Sequence, residues 1–228
     1  MYLRRALINT GKVASLRVST LSSDDVSPKG YLIAIEGLDG SGKTTIAKRL
    51  VELLTARGYR AIYTCEPYSD AFIGILNSIG RKMGALFEAL IMAADRYYHL
   101  KEVIEPAVNA GVIVVTDRYY YSSLAYQGAK GADLAWVREL NKFAINPNIA
   151  IYLDIDPETG LKRKAGKPSR VEYLQENLRI LERARQIYIS MVESGELLYV
   201  DASSSIDEVL KKCIKLLCVK LGILCIGT

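Results

Sequence analysis

From Tyr31 onward, short apolar runs alternate with longer segments whose apolar residues recur every three or four positions. The runs are "YLIAIEG", "RAIYTC", "VIVVTD", "IAIYLDI" and "LLYVDA". Several are apolar on successive residues, as buried strands of a parallel sheet must be when both faces are covered. The helical patterns are "KTTIAKRLVELLTARG", "GALFEALIMAADRYYHLKEVIEPAVNAG", "DLAWVRELNKFA", "VEYLQENLRILERARQIYISMVE" and "SIDEVLKKCIKLLCVKLG". Gly58 suits the C-terminal end of the first. The second reads as one long helix with Pro106 as a possible kink and Gly111 as its stop. Strand and helix alternating in this way predict an α/β fold, a five-stranded parallel sheet with helices on both faces.

The chain has 228 residues, enough for one domain with a full core. Residues 1–29 do not share the pattern. Before Asp24 they hold four cations and no acid, a composition like that of a targeting peptide. They are read as an extension outside the site, and residues 30–228 as the domain. A net charge of +5 is too small to argue for nucleic acid, and no apolar run is long enough to span a bilayer. Neither nucleic acid nor membrane is expected as a partner. Cys65, Cys213, Cys218 and Cys225 form no C-x-x-C pair, and His99 is the single histidine. They are expected to be reduced thiols, which suggests a cytoplasmic setting.

"GLDGSGKT", Gly37 to Thr44, fits G-x-x-x-x-G-K-[ST] between a predicted strand and a predicted helix. Gly37, Gly40 and Gly42 let backbone N–H groups curl around phosphate oxygens, and the helix N-terminus adds its positive end. Lys43 reaches the β- and γ-phosphates, and Thr44 can ligate Mg²⁺. With Ser41 and Thr45 these residues form the expected ATP site of a P-loop NTPase fold. The nucleotide could then feed a small acceptor, as in a kinase, or drive a conformational switch. A second, built-in anion site would favour the kinase.

"DRYYYSSLAYQG", Asp117 to Gly128, begins where the third strand ends, the edge at which α/β sheets carry their sites. Asp117 stands where an acid would hold Mg²⁺ or its water, and Arg118 follows as a planar anion clamp. Tyr119, Tyr120 and Tyr121 are adjacent and cannot share one face, so at least one belongs to the core.

This segment resembles the acceptor segment of the thymidylate kinase family. The resemblance extends from about Tyr31 to Leu221 and includes "IEGLDGSGKTT", "AADR", "YLDIDPETGLKR" and "DASSSIDEV". It implies that Arg118 binds the acceptor phosphate and that Tyr126 closes off the 2′ side of the sugar. Ser123 and Gln127 would line the pocket near the base, Arg96 would hydrogen-bond the thymine, and Asp39 would approach the acceptor's 3′-hydroxyl and phosphate. Glu66 and Pro67 complete the implied dTMP pocket. Two departures stand out. Met92 replaces a phenylalanine that stacks on the base, which suggests looser base selectivity. In "CEPYSD" an arginine before Glu66 and glycines after Pro67 are missing.

The implied reaction is ATP + dTMP giving ADP + dTDP with Mg²⁺, in a homodimer paired through helices that include the one at 84–109. The acceptor is already a dianion at neutral pH, so positioning and charge neutralisation carry the chemistry and no general base is needed. "GLKRKAGKPSR" reads as a basic lid. Gly40 follows the P-loop carboxylate where one branch of the family has Arg, so the lid would supply the cation. Arg163 and Arg170 are the chosen candidates, with Lys164 and Lys167 as point charges. The alternatives are a P-loop kinase of another nucleotide or nucleoside and a switch ATPase.

Overall fold

The computed structural model describes residues 30–165 and 177–225. Five strands form one sheet: β1 (Leu32–Gly37), β2 (Ala61–Cys65), β3 (Ile113–Asp117), β4 (Ile149–Asp154) and β5 (Leu198–Asp201). Their order is β2-β3-β1-β4-β5, and every pairing is parallel. The register sets Ile35 beside Asp117 and Gly37 beside Leu153, so the loops after β1, β3 and β4 emerge together.

Alternation along β1 divides the core. Ile33 and Ile35 face α1 (Lys43–Ala56) and α9 (Ile206–Leu221), packing with Ile46, Leu50, Val209 and Leu217. Leu32 and Ala34 face the other layer. That layer holds α3 (Arg81–His99), α5 (Tyr120–Ala129), α6 (Leu134–Leu140) and α8 (Leu178–Glu193). The predicted α/β architecture, with helices on both faces of a five-stranded parallel sheet, is observed.

Several elements differ from their expected form. The predicted long helix is α3, a π-helical turn at Leu100–Ile104, and α4 (Glu105–Asn109). Pro106 lies in the first turn of α4. It has no N–H to donate, and the wider π turn before it carries the chain past that missing bond. Helical angles are also interrupted at Gly84, with φ 77° and ψ −172°. Three helices were not expected, α2 (Asp70–Ile75), α5 and α7 (Pro157–Lys164). The cysteine expectation is corrected: Cys218 and Cys225 are disulfide-bonded, while Cys65 and Cys213 remain thiols. Gly222 ends α9 in the left-handed region at φ 68°. It turns the chain back, bringing the two Cα atoms within 4.8 Å. Among the described residues, no helix is long and apolar enough to cross a membrane.

Candidate active site

The loop between β1 and α1 is built on left-handed glycines. Gly40 has φ 84° and Gly42 φ 93°, which a side chain rarely permits. Gly42 caps α1 and leaves the first N–H groups of the helix open to an anion. Lys43 is buried, and its Nζ donates to the carbonyl of Leu38 at 2.8 Å. The hydroxyl of Thr44 donates to Asp117 Oδ2. The other Asp117 oxygen is buried without a hydrogen-bond partner, as is Ser41 Oγ. Buried polar atoms left open in this way are suited to a bound water, ion or ligand oxygen.

Asp39 is the centre of the charge cluster. Its carboxylate contacts Arg118 and Lys164 directly and lies 4.0 Å from Lys43 Nζ. Burial alone would raise its pKa, but Arg118, Lys43 and Lys164 outweigh burial and hold the carboxyl well below its ordinary value. Tyr126 covers the same group from α5. Its hydroxyl accepts from the Asp39 N–H at 3.1 Å and from Arg118 at 3.3 Å. The Arg118 guanidinium lies 4.8 Å from the centre of the Tyr126 ring, within cation–π range. Arg118 itself has φ 73°, strained for a residue with a side chain.

Glu36 holds this strained corner. It is fully buried at the end of β1. It accepts from the Tyr119 N–H at 2.7 Å, Ser122 Oγ at 2.6 Å and the Tyr188 hydroxyl at 2.8 Å. Ser122 Oγ in turn accepts from Arg118 at 3.1 Å. Burial pushes the Glu36 carboxyl upward, against Ser122, Arg118, Tyr188 and Tyr119.

A second buried network lies behind the acceptor segment. Arg96 donates through Nε to Glu66 Oε2 at 2.8 Å, through Nη2 to Ser123 Oγ at 3.1 Å and through Nη1 to Asn141 Oδ1. His99 joins it, 3.3 Å from Glu66 Oε1 and 2.6 Å from Thr64 Oγ1, with Tyr68 stacked on its ring at 4.5 Å. Pro67 follows Glu66 through a cis peptide bond. Asp95 then accepts from the N–H groups of Tyr68 and Ser69 at 2.6 and 2.7 Å, tying the loop to α3.

Residues 35–213 match the family model described as thymidylate kinase. The chain is 43% identical over 182 residues to a probable thymidylate kinase of Staphylothermus marinus, covering 79% of this chain and 90% of that protein. It is 38% identical over 190 residues to a probable thymidylate kinase of Pyrococcus horikoshii, covering 79% and 92%. It is 40% identical over 193 residues to a thymidylate kinase of Xanthomonas oryzae pv. oryzae, covering 82% and 83%.

The chain belongs to the thymidylate kinase family.

Of the residues that membership implies, Asp39, Lys43, Thr44, Asp117, Arg118 and Tyr126 lie in one cluster. Arg96, Glu66 and Ser123 share the second network. Gln127 is buried, 3.4 Å from Glu88 through Nε2, with its Oε1 unpartnered. Met92 is half-buried and packs toward Ile73 and Leu76. Thr45 is exposed on the first turn of α1. Arg163 turns from Asp39 toward the carbonyls of Ala202 and Ser203, at 3.3 and 3.4 Å. Arg170 and Lys167 lie outside the described residues, as do the extension at 1–29 and residues 166–170 of the expected lid.

Glu36, Asn141 and His99 are contributors that pattern reading missed. Glu36 offered one signal, a carboxylate inside an otherwise apolar strand. Such a group needs a buried partner set. Asn141 offered none.

Proposed function

We propose that this chain transfers the γ-phosphoryl of ATP to the phosphate of dTMP, giving ADP and dTDP. The observation that carries this reading is the Asp39 carboxylate, shared between Lys43 of the P-loop and Arg118 of the acceptor segment. A nucleotide switch needs no second anion site at this spot. Here a donor cation and an acceptor cation converge on one carboxylate.

The acceptor phosphate is a dianion, so its oxygen attacks the γ-phosphorus without losing a proton to the protein. The bond from that phosphorus to the bridging oxygen breaks as the new bond forms, and ADP leaves with the electron pair. Lys43 binds the donor phosphates and Arg118 orients the acceptor phosphate. Tyr126 limits the space beside the sugar, and Arg96, Ser123 and Gln127 read the base, with Glu66 and Pro67 behind them. Met92 offers a flexible wall rather than a ring, so discrimination against dUMP is modest.

Mg²⁺ belongs to this reading. The Thr44 hydroxyl and the unpartnered Asp117 oxygen are hard donors suited to a cation that keeps most of its bonds to water and phosphate. When bound, it would neutralise phosphate charge. Among the described residues no cluster of three or more His, Cys, Asp or Glu could hold a metal alone.

A homodimer is part of the proposal. Along α3, Met83, Leu86, Leu90, Tyr97 and Tyr98 are all exposed, Met83 by 57% and Leu86 by 56%. A groove of about 620 Å³ runs between α3, α2 and α6. A contiguous apolar face of this kind fits a protein partner. A cytoplasmic setting is also kept, supported by the thiols Cys65 and Cys213 although the Cys218–Cys225 bond weighs against it.

The test is ADP release from Mg-ATP without acceptor, then with dTMP, dUMP, the ribonucleotide TMP, dCMP, AMP and thymidine in turn. Strong stimulation by dTMP, weaker by its ribonucleotide, is expected. Release that ignores every acceptor would overturn the kinase reading.

A further inference from the structure

The P-loop and α7 touch backbone to backbone. A Cβ on Gly40 would lie 2.2 Å from the Gly160 carbonyl oxygen. A Cβ on Gly160 would lie 2.6 Å from the Asp39 carbonyl oxygen. Neither distance leaves room for a side chain, and the opposing atoms are backbone that cannot swing aside. Position 40 therefore cannot supply a cation to the donor phosphates while α7 sits here.

The same contact aims α7. Asp156 caps the helix, accepting from the Thr159 N–H at 2.9 Å, and Pro157 opens its first turn. Lys164 follows Gly160 by four residues, so both lie on one face. With Gly160 against the P-loop, Lys164 reaches the Asp39 carboxylate, the group shared by the donor and acceptor cations. Arg163 is one residue away, on a different face, and meets Ala202 and Ser203.

We propose that Lys164 is a catalytic residue that meets the phosphoryl group in transfer, and that Gly160 is the positioning residue that sets its reach. This rests on the dTMP kinase reading. Without nucleotides, Asp39 holds Lys164 at the junction of the two sites. With both bound, the ammonium passes from Asp39 to the equatorial oxygens of the moving phosphoryl. No proton is exchanged, and the bonds that form and break are those of the transfer itself. An ammonium suits this because it is a compact charge that can follow the oxygens.

The experiment compares the unchanged protein with Lys164→Met, Gly160→Ala and the double variant in steady-state dTMP phosphorylation. Lys164→Met keeps most of the stem and loses the charge. It should lower kcat by about 100-fold, the usual cost of removing one donor to a transition-state oxyanion. The dTMP KM, and the Kd for a non-hydrolysable ATP analogue, should stay within about threefold. Gly160→Ala should lower kcat as well. The double variant should be no worse than Lys164→Met, since Gly160 acts through Lys164. A Lys164→Met kcat within about threefold of the unchanged enzyme, or a loss confined to KM, overturns the catalytic role. Additive losses in the double variant overturn the role of Gly160. An unchanged protein that ignores dTMP overturns the kinase reading and takes this proposal with it.

Discussion

The hydroxyl of Tyr188 donates to the carboxylate of Glu36 at 2.8 Å across 152 positions of sequence. One residue ends the central strand and the other lies on α8. Between them sits Ser122, which bonds Glu36 and also accepts from Arg118. The proposed acceptor clamp is therefore held from behind by a carboxylate that no nucleotide needs to touch.

Replacing Glu36 separates support from charge. Glu36→Ala strands the Tyr119 N–H, because the two hydroxyls can still pair with each other at 3.0 Å. The expected loss is about 3 kcal/mol of folding stability, together with about a tenfold rise in dTMP KM. Glu36→Gln keeps an acceptor for Tyr119 and can donate to the hydroxyls, so its stability cost should be about 1 kcal/mol. Urea unfolding and dTMP kinetics read the two effects. Equal behaviour of Ala and Gln would show that Glu36 merely fills space.

The sheet was legible because its strands are buried on both faces, and unbroken apolar runs such as "VIVVTD" have few other readings. The P-loop was legible because its glycines and lysine stand at a fixed spacing. α5 was not. Seven of the eight residues from Tyr121 to Gly128 are buried, so the helix has no polar face to set a period of 3.6. Its start at Tyr119 has no side-chain cap. α7 left a signal that pattern reading passed over, Asp156 as cap followed by Pro157. Lys164 and Arg163 are neighbours in sequence, and the planar fork that favoured Arg163 says nothing of which way either side chain points. Only the contact of Gly160 with the P-loop separates their directions.

The Glu66–Arg96 pair predicts an asymmetry in stability. Both side chains are at most 3% exposed. Glu66→Ala leaves the guanidinium buried without its carboxylate, at an expected cost of about 4 kcal/mol. Glu66→Met with Arg96→Met removes both charges and should recover much of that loss while abolishing dTMP selectivity. Chemical denaturation of the three proteins checks this. A double variant less stable than Glu66→Ala would contradict it.

Thiol counting tests the cysteine assignment. Cys213 is buried at the α9 core, and burial pushes its thiol up to about 12. In the native protein only Cys65, which is partly exposed, should react quickly with a thiol reagent near neutral pH. The denatured, unreduced chain should show two thiols and the reduced chain four, given one disulfide and two thiols. Reduction should lower stability by about 2 kcal/mol at most, since the bond closes a short loop.

Lys43 predicts how nucleotide affinity depends on pH. In the ligand-free protein its ammonium is pushed down to about 8, by burial first and by Arg118 next, with Asp39, Asp117 and Glu36 acting the other way. Bound phosphates favour the charged form, so binding must raise this pKa and take up a proton above about pH 8. Affinity for an ATP analogue should be full below that pH. It should fall as pH rises through it, approaching about tenfold per pH unit. Folding of the empty protein responds with the opposite sign. The folded pKa of Lys43 lies below its ordinary value of 10.5, so between about 8 and 10.5 the unfolded chain holds more protons. The Lys43 contribution to stability therefore rises with pH across that window. Calorimetric titration in two buffers of different ionisation enthalpy measures the proton uptake directly. Lys43→Met should bind more weakly and lose this pH dependence. An unchanged protein whose affinity stays flat between about pH 7 and pH 9 would mean that Lys43 keeps its proton in the empty site.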